Sequence, residues 1–350
     1  MNAPKISVLI PMYNRKHYIE QCIDSALNQT FQDYEIIVCD NDSTDGSADF
    51  VAERYVAEIS SGKIKLLRNE KNMGATFNNN RLLREASGKY FMILHSDDMF
   101  LPHALAHMYE VAENFNADVV HECKCLTTAP DGIIEKGTPL KITDYDRCQV
   151  DNVTVMPDDP NFRFYCWVND IGTDAQHNIF NKEFFIKNGL RFETFDDTRL
   201  LLLKCLMKAK VFVKTPVVFY IYRNSPDSDT NSKFPPERVA KLISDYIKLS
   251  RHLDEFFASD DFFKDKPELQ YLARSHLFFI FDNFWIIRNG VYKNGITPEL
   301  HRAVESAFRE YFGKDAPLPT FFFHWLHTLI CNKPSTIIAA PPTHTQQIDS

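Results

Sequence analysis

Apolar runs and amphipathic segments alternate along the first part of the chain. The segments between the runs place apolar residues at helical spacing, as Ile19, Cys22, Ile23 and Ala26 do in the first of them. The runs themselves are short and rich in β-branched residues, as in buried strands: residues 6–11 (ISVLIP), 34–39, 64–67 and 90–94. Four such alternations require parallel strands with right-handed crossovers. We therefore predict an α/β protein with an open, mostly parallel sheet flanked by helices.

The pattern becomes less regular after the fourth run. Helical spacing of apolar residues predicts helices over residues 102–116 and 198–209. Short apolar runs predict strands at 118–121 and within 211–222. Residues 126–175 contain turn residues and scattered aromatic side chains, which favours loops over a site rather than a separate domain.

The last third of the chain is predicted to be helical and aromatic. Phe and Trp cluster at residues 276–287 and 320–330. Such stripes favour core packing, and contact with a membrane surface or a second copy of the chain is the alternative. We predict an α/β domain over residues 1–230, a helical region over 231–333 and a flexible tail over 334–350.

Composition narrows the class of protein. Charged residues make up 25% of the chain, hydrophobic residues 44%, and the net charge is −8. These values are ordinary for a soluble globular protein and disfavour nucleic-acid binding. The eight Cys residues form no CxxC pair, and no apolar stretch approaches the ~20 residues of a membrane span. We predict a cytoplasmic protein, at most in contact with the inner face of the membrane.

Two adjacent carboxylates, Asp97 and Asp98, end the fourth apolar run. Strand ends of open α/β sheets are where such folds bind ligands, and paired carboxylates suit a divalent cation that holds a phosphate. The alternative is a solvated turn that caps a helix, because the segment from Asp98 to Pro102 also resembles a helix start. The turn after the first strand lacks the glycines of a dinucleotide-binding loop, and the chain has no P-loop.

Five motifs then follow in a familiar order. They are Pro11-Met-Tyr-Asn14, Ser25-Ala-Leu-Asn-Gln-Thr30, the Asp-rich turn of residues 38–46, Asn72-Met-Gly74, and Gly88-Lys-Tyr90 leading to His95-Ser-Asp-Asp98. In this order they resemble the family 2 nucleotide-sugar glycosyltransferases of the GT-A fold, of the type that builds bacterial cell-surface polysaccharides. The resemblance covers roughly residues 5–230 and implies that this region is the catalytic domain.

The resemblance assigns nucleotide contacts to Pro11, Tyr13, Asn14, Asp40, Asn72, Asp97 and Arg223. Asp40 would accept a hydrogen bond from the base, and its alternative role is a turn or helix cap. Arg223 would approach the diphosphate, and a surface salt bridge is its alternative. The family often has an arginine within the segment that reads Asn78-Asn-Asn80 here, so that cationic contact is missing or is replaced by Lys71 or Arg81.

The resemblance also implies a cofactor, Mn²⁺ or Mg²⁺, held by Asp97 with Asp98 and His95. His95 stands where the family usually has the first aspartate of this motif. An imidazole can bind Mn²⁺ or a ribose, but the change lowers the negative charge of the site and leaves the identity of the metal open.

Catalytic residues are assigned further along the chain. Asp197 matches the family's catalytic base and Asp196 its neighbouring acid, although both can also cap the helix that follows. His177 precedes the segment that lines the acceptor side, and a structural role is its alternative.

The implied activity is inverting, metal-assisted transfer of a sugar from a nucleotide sugar, with UDP-sugars favoured. The acceptor would be a saccharide or a lipid-linked glycan, and Asp197 would act as the general base. A degenerate binding or scaffold protein of the same fold is the main rival. A nucleotidyltransferase is a weaker one, because the Gly- and Arg-rich loop of that class is absent after Pro11.

Overall fold

The computed structural model of the chain describes residues 3–129, 132–134, 140–144, 150–169, 175–193, 198–225, 249, 251–270 and 272–273. Its strands, in chain order, are β1 (Ile6–Met12), β2 (Tyr34–Asp40), β3 (Ile64–Arg68), β4 (Tyr90–Ile93), β5 (Met99–Phe100), β6 (Val119–Glu122), β7 (Lys124–Thr127), β8 (Lys141–Asp144), β9 (Thr154–Val155), β10 (Asn178–Asn181), β11 (Phe212–Thr215) and β12 (Tyr220–Tyr222). Its α-helices are α1 (Ile19–Leu27), α2 (Ser47–Arg54), α3 (Val56–Ser60), α4 (Ala75–Glu85), α5 (Ala104–Phe115), α6 (Pro160–Asn169), α7 (Lys182–Lys187) and α8 (Thr198–Lys208).

The larger sheet has eight strands in the order β3-β2-β1-β4-β10-β6-β11-β9. The four strands β3, β2, β1 and β4 pair in parallel, as do β6 and β11. The prediction of an open, mostly parallel sheet flanked by helices is therefore confirmed. The alternation of apolar runs gave no sign that β10 lies antiparallel between β4 and β6.

Helices cover both faces of this sheet. Successive residues of β1 point to opposite faces, so that Val8 and Ile10 pack with α1, α2 and α5 while Leu9 packs with α4. Both faces of the sheet are buried, which explains why the strand sequences are continuously apolar and do not alternate between apolar and polar residues.

The segment over residues 126–175 is more ordered than the predicted loops. Its described residues include β8, β9 and the ten-residue helix α6. Phe164 and Trp167 of α6 are buried in the core beside α8, and their rings stack with centroids 5.9 Å apart. The interpretation as loops was therefore wrong for the described residues of β8, β9 and α6, and the helical spacing of these two aromatic residues was the missed signal.

The first part of the C-terminal region packs on the α/β domain. Phe256, Phe257 and Phe263 are buried in the cluster that contains α6 and α8, and the ring of Phe263 lies 5.3 Å from that of Phe164. The aromatic segments 276–287 and 320–330 and the tail 334–350 lie outside the described residues. The boundary at residue 230 stays a prediction. Among the described residues, no helix is both long enough and apolar enough to span a membrane.

A fully buried histidine in β6 makes stability depend on pH. His121 contacts Asn178 Oδ1 at 3.0 Å, and burial lowers its pKa from 6.5 to about 4. The unfolded chain takes up a proton below pH 6.5 that the folded chain refuses, so this contribution to stability is present above pH 6.5 and lost as the pH falls towards 4. We expect it to cost about 2 kcal/mol of unfolding free energy between pH 7.5 and pH 5.

Urea unfolding at several pH values measures this effect. A His121→Gln variant should show a shallower loss of unfolding free energy towards pH 5 than the unmodified protein. His17→Gln, at an exposed position, is the matched control and should follow the unmodified protein. Parallel profiles for the His121 variant and the unmodified protein would contradict the assignment.

Candidate functional site

The predicted site residues meet at one edge of the larger sheet because neighbouring parallel strands end together. Met12 at the end of β1 pairs in register with Asp40 at the end of β2. On the other side of β1, the N–H of Leu94 donates to the carbonyl of Leu9 at 2.9 Å, just before His95. Three of the motifs are thus brought side by side at the carboxyl ends of adjacent strands.

Asp40 presents a carboxylate oxygen that lacks a partner. The side chain is 3% exposed, and its Oδ2 accepts a hydrogen bond from the N–H of Ser43 at 3.1 Å. Its Oδ1 is buried and has no hydrogen-bond partner among the residues that the structure describes. Burying an acceptor without a donor is costly, so this atom is a place where a ligand donor fits. The turn-capping role and a ligand contact are compatible, because they use different oxygens.

The turn after β1 is held by the loop after β2. The N–H of Asn14 donates to Ser43 Oγ at 2.8 Å, and Asn14 Oδ1 accepts from the N–H of Thr44 at 2.8 Å. Asn14 has a φ of 52°, in the left-handed region that asparagine tolerates. Tyr13, the preceding residue, stays 42% exposed. The predicted residues Pro11, Tyr13 and Asn14 therefore form a fixed rim next to Asp40.

A lattice of asparagines fixes the loop on the far side of Asp40. Asn72 Oδ1 accepts hydrogen bonds from Asn41 Nδ2 and from the N–H of Gly74, both at 2.9 Å. Asn41 Oδ1 accepts from Asn69 Nδ2 at 2.8 Å. Arg81 donates to the carbonyl of Arg68 at 2.8 Å and to Asn69, so its guanidinium is part of this lattice. The lattice accounts for Asn72 as a structural residue of the loop, and its nucleotide contact stays a prediction.

The two adjacent carboxylates have different environments. Asp98 is 1% exposed, and its oxygens accept hydrogen bonds from the hydroxyl of Tyr220 at 2.6 Å and the N–H of Arg223 at 2.7 Å. Burial and the charge of Asp97 raise the pKa of Asp98. The Asp97 side chain is 19% exposed and lies 3.4 Å from Arg15 Nε. The alternative of a solvated helix cap is wrong for Asp98, because β5 follows it and α5 begins only at Ala104.

Arg223 is a buried clamp rather than a surface ion pair. It is 4% exposed, its Nε donates to the carbonyl of Asp97 at 2.7 Å, and its Nη1 donates to the carbonyl of Gly132 at 2.8 Å. Its Nη2 donates to Gln21. The alternative of a surface salt bridge is therefore wrong for Arg223. These bonds hold the main chain of Asp97 in place, and the predicted diphosphate contact of Arg223 would come in addition to them.

A second buried network positions Tyr220, the residue whose hydroxyl donates to Asp98. His177 is fully buried with its Nδ1 2.8 Å from Glu122 Oε2, and its ring lies 4.9 Å from the ring of Tyr220. Glu122 Oε1 accepts from the N–H groups of Phe219 and Tyr220 at 2.6 and 3.2 Å. Burial lowers the pKa of His177 well below its ordinary value, so the imidazole is neutral at pH 7. This position favours the structural alternative for His177 over an acceptor contact.

The residues present fit a cation that is held mainly by a diphosphate. His95 is 42% exposed, with its Nδ1 3.8 Å from Asp98 Oδ2. In the described part of the chain, no group of three or more His, Cys, Asp and Glu side chains could hold a metal alone. Mg²⁺ sites of nucleotide enzymes need only one or two carboxylates beside the phosphates, and Asp97 supplies one. The imidazole of His95 could be a further ligand for Mn²⁺. Asp196 and Asp197 lie outside the described residues.

Three residues of the site escaped the sequence analysis. Tyr220 and Glu122 act through buried hydrogen bonds between segments that are distant in sequence, and no local pattern signals such bonds. Arg15 directly follows the motif that ends at Asn14, so its position next to that turn was the available signal.

Sequence comparisons give the same family for the N-terminal part of the chain. Residues 7–123 match the family described as Glycosyl transferase family 2. The UDP-Glc:alpha-D-GlcNAc-diphosphoundecaprenol beta-1,3-glucosyltransferase WfgD of Escherichia coli is 40% identical over 101 residues, which are 29% of this chain and 38% of WfgD. The poly(ribitol-phosphate) beta-N-acetylglucosaminyltransferase TarP of Staphylococcus aureus is 27% identical over 235 residues, 65% of each chain.

Structural comparison extends further along the chain. The crystal structure of S. aureus TarS 1-349 in complex with UDP-GlcNAc superposes with a TM-score of 0.61 and 16% identity, over 88% of this chain and 80% of that one. At this identity the likeness shows a shared fold. The sequence matches cover a smaller share of the relatives' own length: the chain spans 38% of WfgD and 54% of the putative glycosyltransferase EpsE of Bacillus subtilis.

Proposed function

We propose that the chain, whose residues 7–123 match glycosyl transferase family 2, transfers a sugar from a nucleoside-diphosphate sugar to a hydroxyl group of a saccharide or lipid-linked glycan. The observation that carries this proposal is the buried, unpartnered Oδ1 of Asp40 at the carboxyl edge of the sheet. WfgD, whose name records UDP-Glc and a diphosphoundecaprenol-linked acceptor, makes a UDP-sugar and a lipid-linked acceptor the first candidates. Cytoplasmic location, at the inner face of the membrane where such an acceptor is presented, stays part of this proposal.

The base would bind at Asp40. A uracil ring carries an imide N–H, which is the kind of donor that a buried carboxylate oxygen lacks. Pro11, Tyr13, Asn14 and Asn72 would form the walls of this subsite. Cytosine carries a lone pair at the same ring position, so Asp40 would reject it.

The diphosphate would lie next to Asp97. Mg²⁺ or Mn²⁺, when bound there, neutralises the charge that grows on the leaving diphosphate, and Asp97 and His95 are the residues that would hold it. We assign Asp98 a positioning role instead of the predicted ligand role, because both of its oxygens already accept hydrogen bonds from Tyr220 and Arg223. That pair of bonds fixes the turn from which Asp97 projects.

The acceptor hydroxyl would lose its proton to Asp197 as it attacks the anomeric carbon, with Asp196 beside it. Binding of both substrates supplies the alignment of the attacking oxygen, the anomeric carbon and the departing diphosphate. Attack opposite the leaving group inverts the anomeric configuration. The assignment of Asp197 and the inverting outcome come from the family resemblance, in which Gly189-Leu-Arg-Phe192 followed by Phe195-Asp-Asp-Thr198 matches the family's segment that ends in the catalytic base.

A panel of nucleotide sugars tests the proposed activity. The protein is incubated with UDP-, GDP-, CDP- and dTDP-sugars and Mn²⁺, and release of the nucleoside diphosphate is measured by mass spectrometry. We expect release from a UDP-sugar above all others. Binding of UDP without release from any sugar, with or without saccharide acceptors, would favour the scaffold alternative. That alternative is compatible with His95 in the metal motif and with a carboxylate pair of which only Asp97 is partly exposed. No binding of any nucleotide would contradict both.

Exchange of Asp40 for Asn tests the base contact. The Asn side chain keeps the shape and can still accept the Ser43 bond, but its amide N–H₂ then faces the imide N–H of uracil. We expect UDP affinity, measured by calorimetry, to fall about 10- to 100-fold, because a hydrogen bond to a charged group is lost. CDP should gain relative to UDP, since the new amide can donate to the cytosine lone pair. Unchanged discrimination between UDP and CDP would place the base elsewhere.

A further inference from the structure

Arg15 joins the turn after β1 to the carboxylate end of β4. Its main chain is fixed, because its N–H donates to Ser47 Oγ at 2.9 Å and its carbonyl accepts from the N–H of Ile19 at 2.9 Å, where α1 begins. Its Nη1 donates to the carbonyl of Asn14 at 3.2 Å. The main chain that carries the guanidinium is therefore held in place at the rim of the proposed nucleotide site.

The side chain of Arg15 ends at Asp97. Its Nε lies 3.4 Å from Asp97 Oδ2, and the two side chains are 28% and 19% exposed. An ion pair with this much exposure is weak, so it can be exchanged for another partner at little cost. Arg15 Nη1 also donates to the carbonyls of Asn14 and Tyr13, but at 3.2 and 3.5 Å these bonds are long. Arg223, the other arginine at this turn, is 4% exposed and donates to two carbonyl oxygens at 2.7 and 2.8 Å, so its guanidinium is held more firmly.

The ion pair between Asp97 and Arg15 competes with the binding of a divalent cation to Asp97. A cation bound at Asp97 would lie within a few ångströms of the guanidinium, and like charges at that distance repel. A diphosphate at the same place offers the guanidinium a new anion, which its forked donors match well. The ion pair with Asp97 and a contact with the diphosphate are thus alternatives for the Arg15 guanidinium.

We propose that Arg15 is an exchangeable counter-ion. It neutralises Asp97 while the site holds no nucleotide, and its side chain turns to the diphosphate when nucleotide and cation arrive together. This proposal rests on the proposed function and adds to it a residue that couples the two binding events. Arg15 then opposes cation binding by the protein alone and favours diphosphate binding, so that the cation enters with the nucleotide rather than before it.

Two affinities measured on Arg15 variants test the coupling. Mn²⁺ binding without nucleotide is followed by electron paramagnetic resonance, and UDP binding without metal by calorimetry. For Arg15→Gln we expect Mn²⁺ to bind about 3- to 10-fold more tightly and UDP about 10-fold more weakly. Arg15→Lys keeps the charge but not the fork, so Mn²⁺ affinity should stay close to that of the unmodified protein while UDP affinity falls in part.

The opposite signs distinguish this role from a structural one. A variant that merely disturbs the turn would weaken both ligands, and that result would overturn the proposal, as would unchanged Mn²⁺ affinity. Arg54→Gln, which removes an exposed arginine paired with Glu20 at 2.9 Å, is the matched control and should change neither affinity. If the unmodified protein fails to bind UDP with Mn²⁺, the proposed function itself is wrong and this inference falls with it. If it binds UDP and the Arg15 variants behave like it, only the inference on Arg15 fails.

Discussion

Replacing Asp197 by Asn is expected to lower sugar transfer by about 10²- to 10⁴-fold, the range that a general base contributes. The amide cannot take the proton of the acceptor hydroxyl, but it keeps the size of the side chain. UDP affinity should stay within about twofold of that of the unmodified protein, because a base acts on the acceptor and not on the nucleotide. Initial rates of UDP release and calorimetric titration with UDP measure the two effects.

The matched control for this variant is Asp49→Asn. Asp49 is an exposed aspartate whose Oδ1 lies 2.8 Å from Arg68 Nη1, and its loss should leave the transfer rate unchanged. Near-normal turnover of the Asp197 variant would show that the base is another residue. A combined loss of turnover and of UDP binding would show that Asp197 has a structural role, such as capping α8.

Substitution by Ala should mainly weaken UDP binding at Asp97 and mainly lower the stability of the fold at Asp98. Asp97→Ala removes a partly exposed carboxylate, so we expect UDP binding with Mn²⁺ to weaken about 10²-fold or more while unfolding free energy changes by about 0.5 kcal/mol at most. Asp98→Ala leaves the Tyr220 hydroxyl and the Arg223 N–H without an acceptor. Each such group costs about 1–3 kcal/mol, so this variant should be destabilised by about 2–6 kcal/mol.

Urea unfolding and UDP calorimetry on the two variants measure this contrast. The unmodified protein, titrated with UDP in the presence and absence of Mn²⁺, gives the reference for the metal-dependent part. Loss of stability in the Asp97 variant, or normal stability in the Asp98 variant, would reverse the roles assigned to the pair.

The sequence predicted the first half of the sheet because that half is local. β1, β2, β3 and β4 are separated by helical segments, so apolar periodicity and the crossover rule predict that they pair in parallel. Their order, β3-β2-β1-β4, was not predicted, because it depends on which strands meet after the helices fold back. The family 2 resemblance is confirmed for residues 7–123 by the family match, and the likeness to TarS shows the shared fold. β10 was missed because its antiparallel place between β4 and β6 depends on contacts with strands about 60 and 90 residues earlier in the chain.

In the candidate site, too, local features were predicted and features that depend on distant contacts were not. The motifs placed Asp40, Asp97 and the turn at Asn14 at strand ends, and strand register brings them together. The different environments of Asp97 and Asp98 could not be predicted, since they arise from Tyr220 and Arg223, more than 120 residues away. Contacts between distant segments also hid the burial of His177 and Arg223, since their partners lie 55 residues away on β6 and 126 residues away in the turn at Asp97.

The central claim is that the strand ends form a nucleotide site with the base at Asp40 and the diphosphate at Asp97. A crystal structure of the protein with UDP and Mn²⁺ tests it most directly. It should show the uracil imide N–H within hydrogen-bonding distance of Asp40 Oδ1, and Mn²⁺ between the diphosphate and Asp97 with Asp98 still bound to Tyr220 and Arg223. A nucleotide bound away from Asp40, or a cation held by Asp98, would contradict the account.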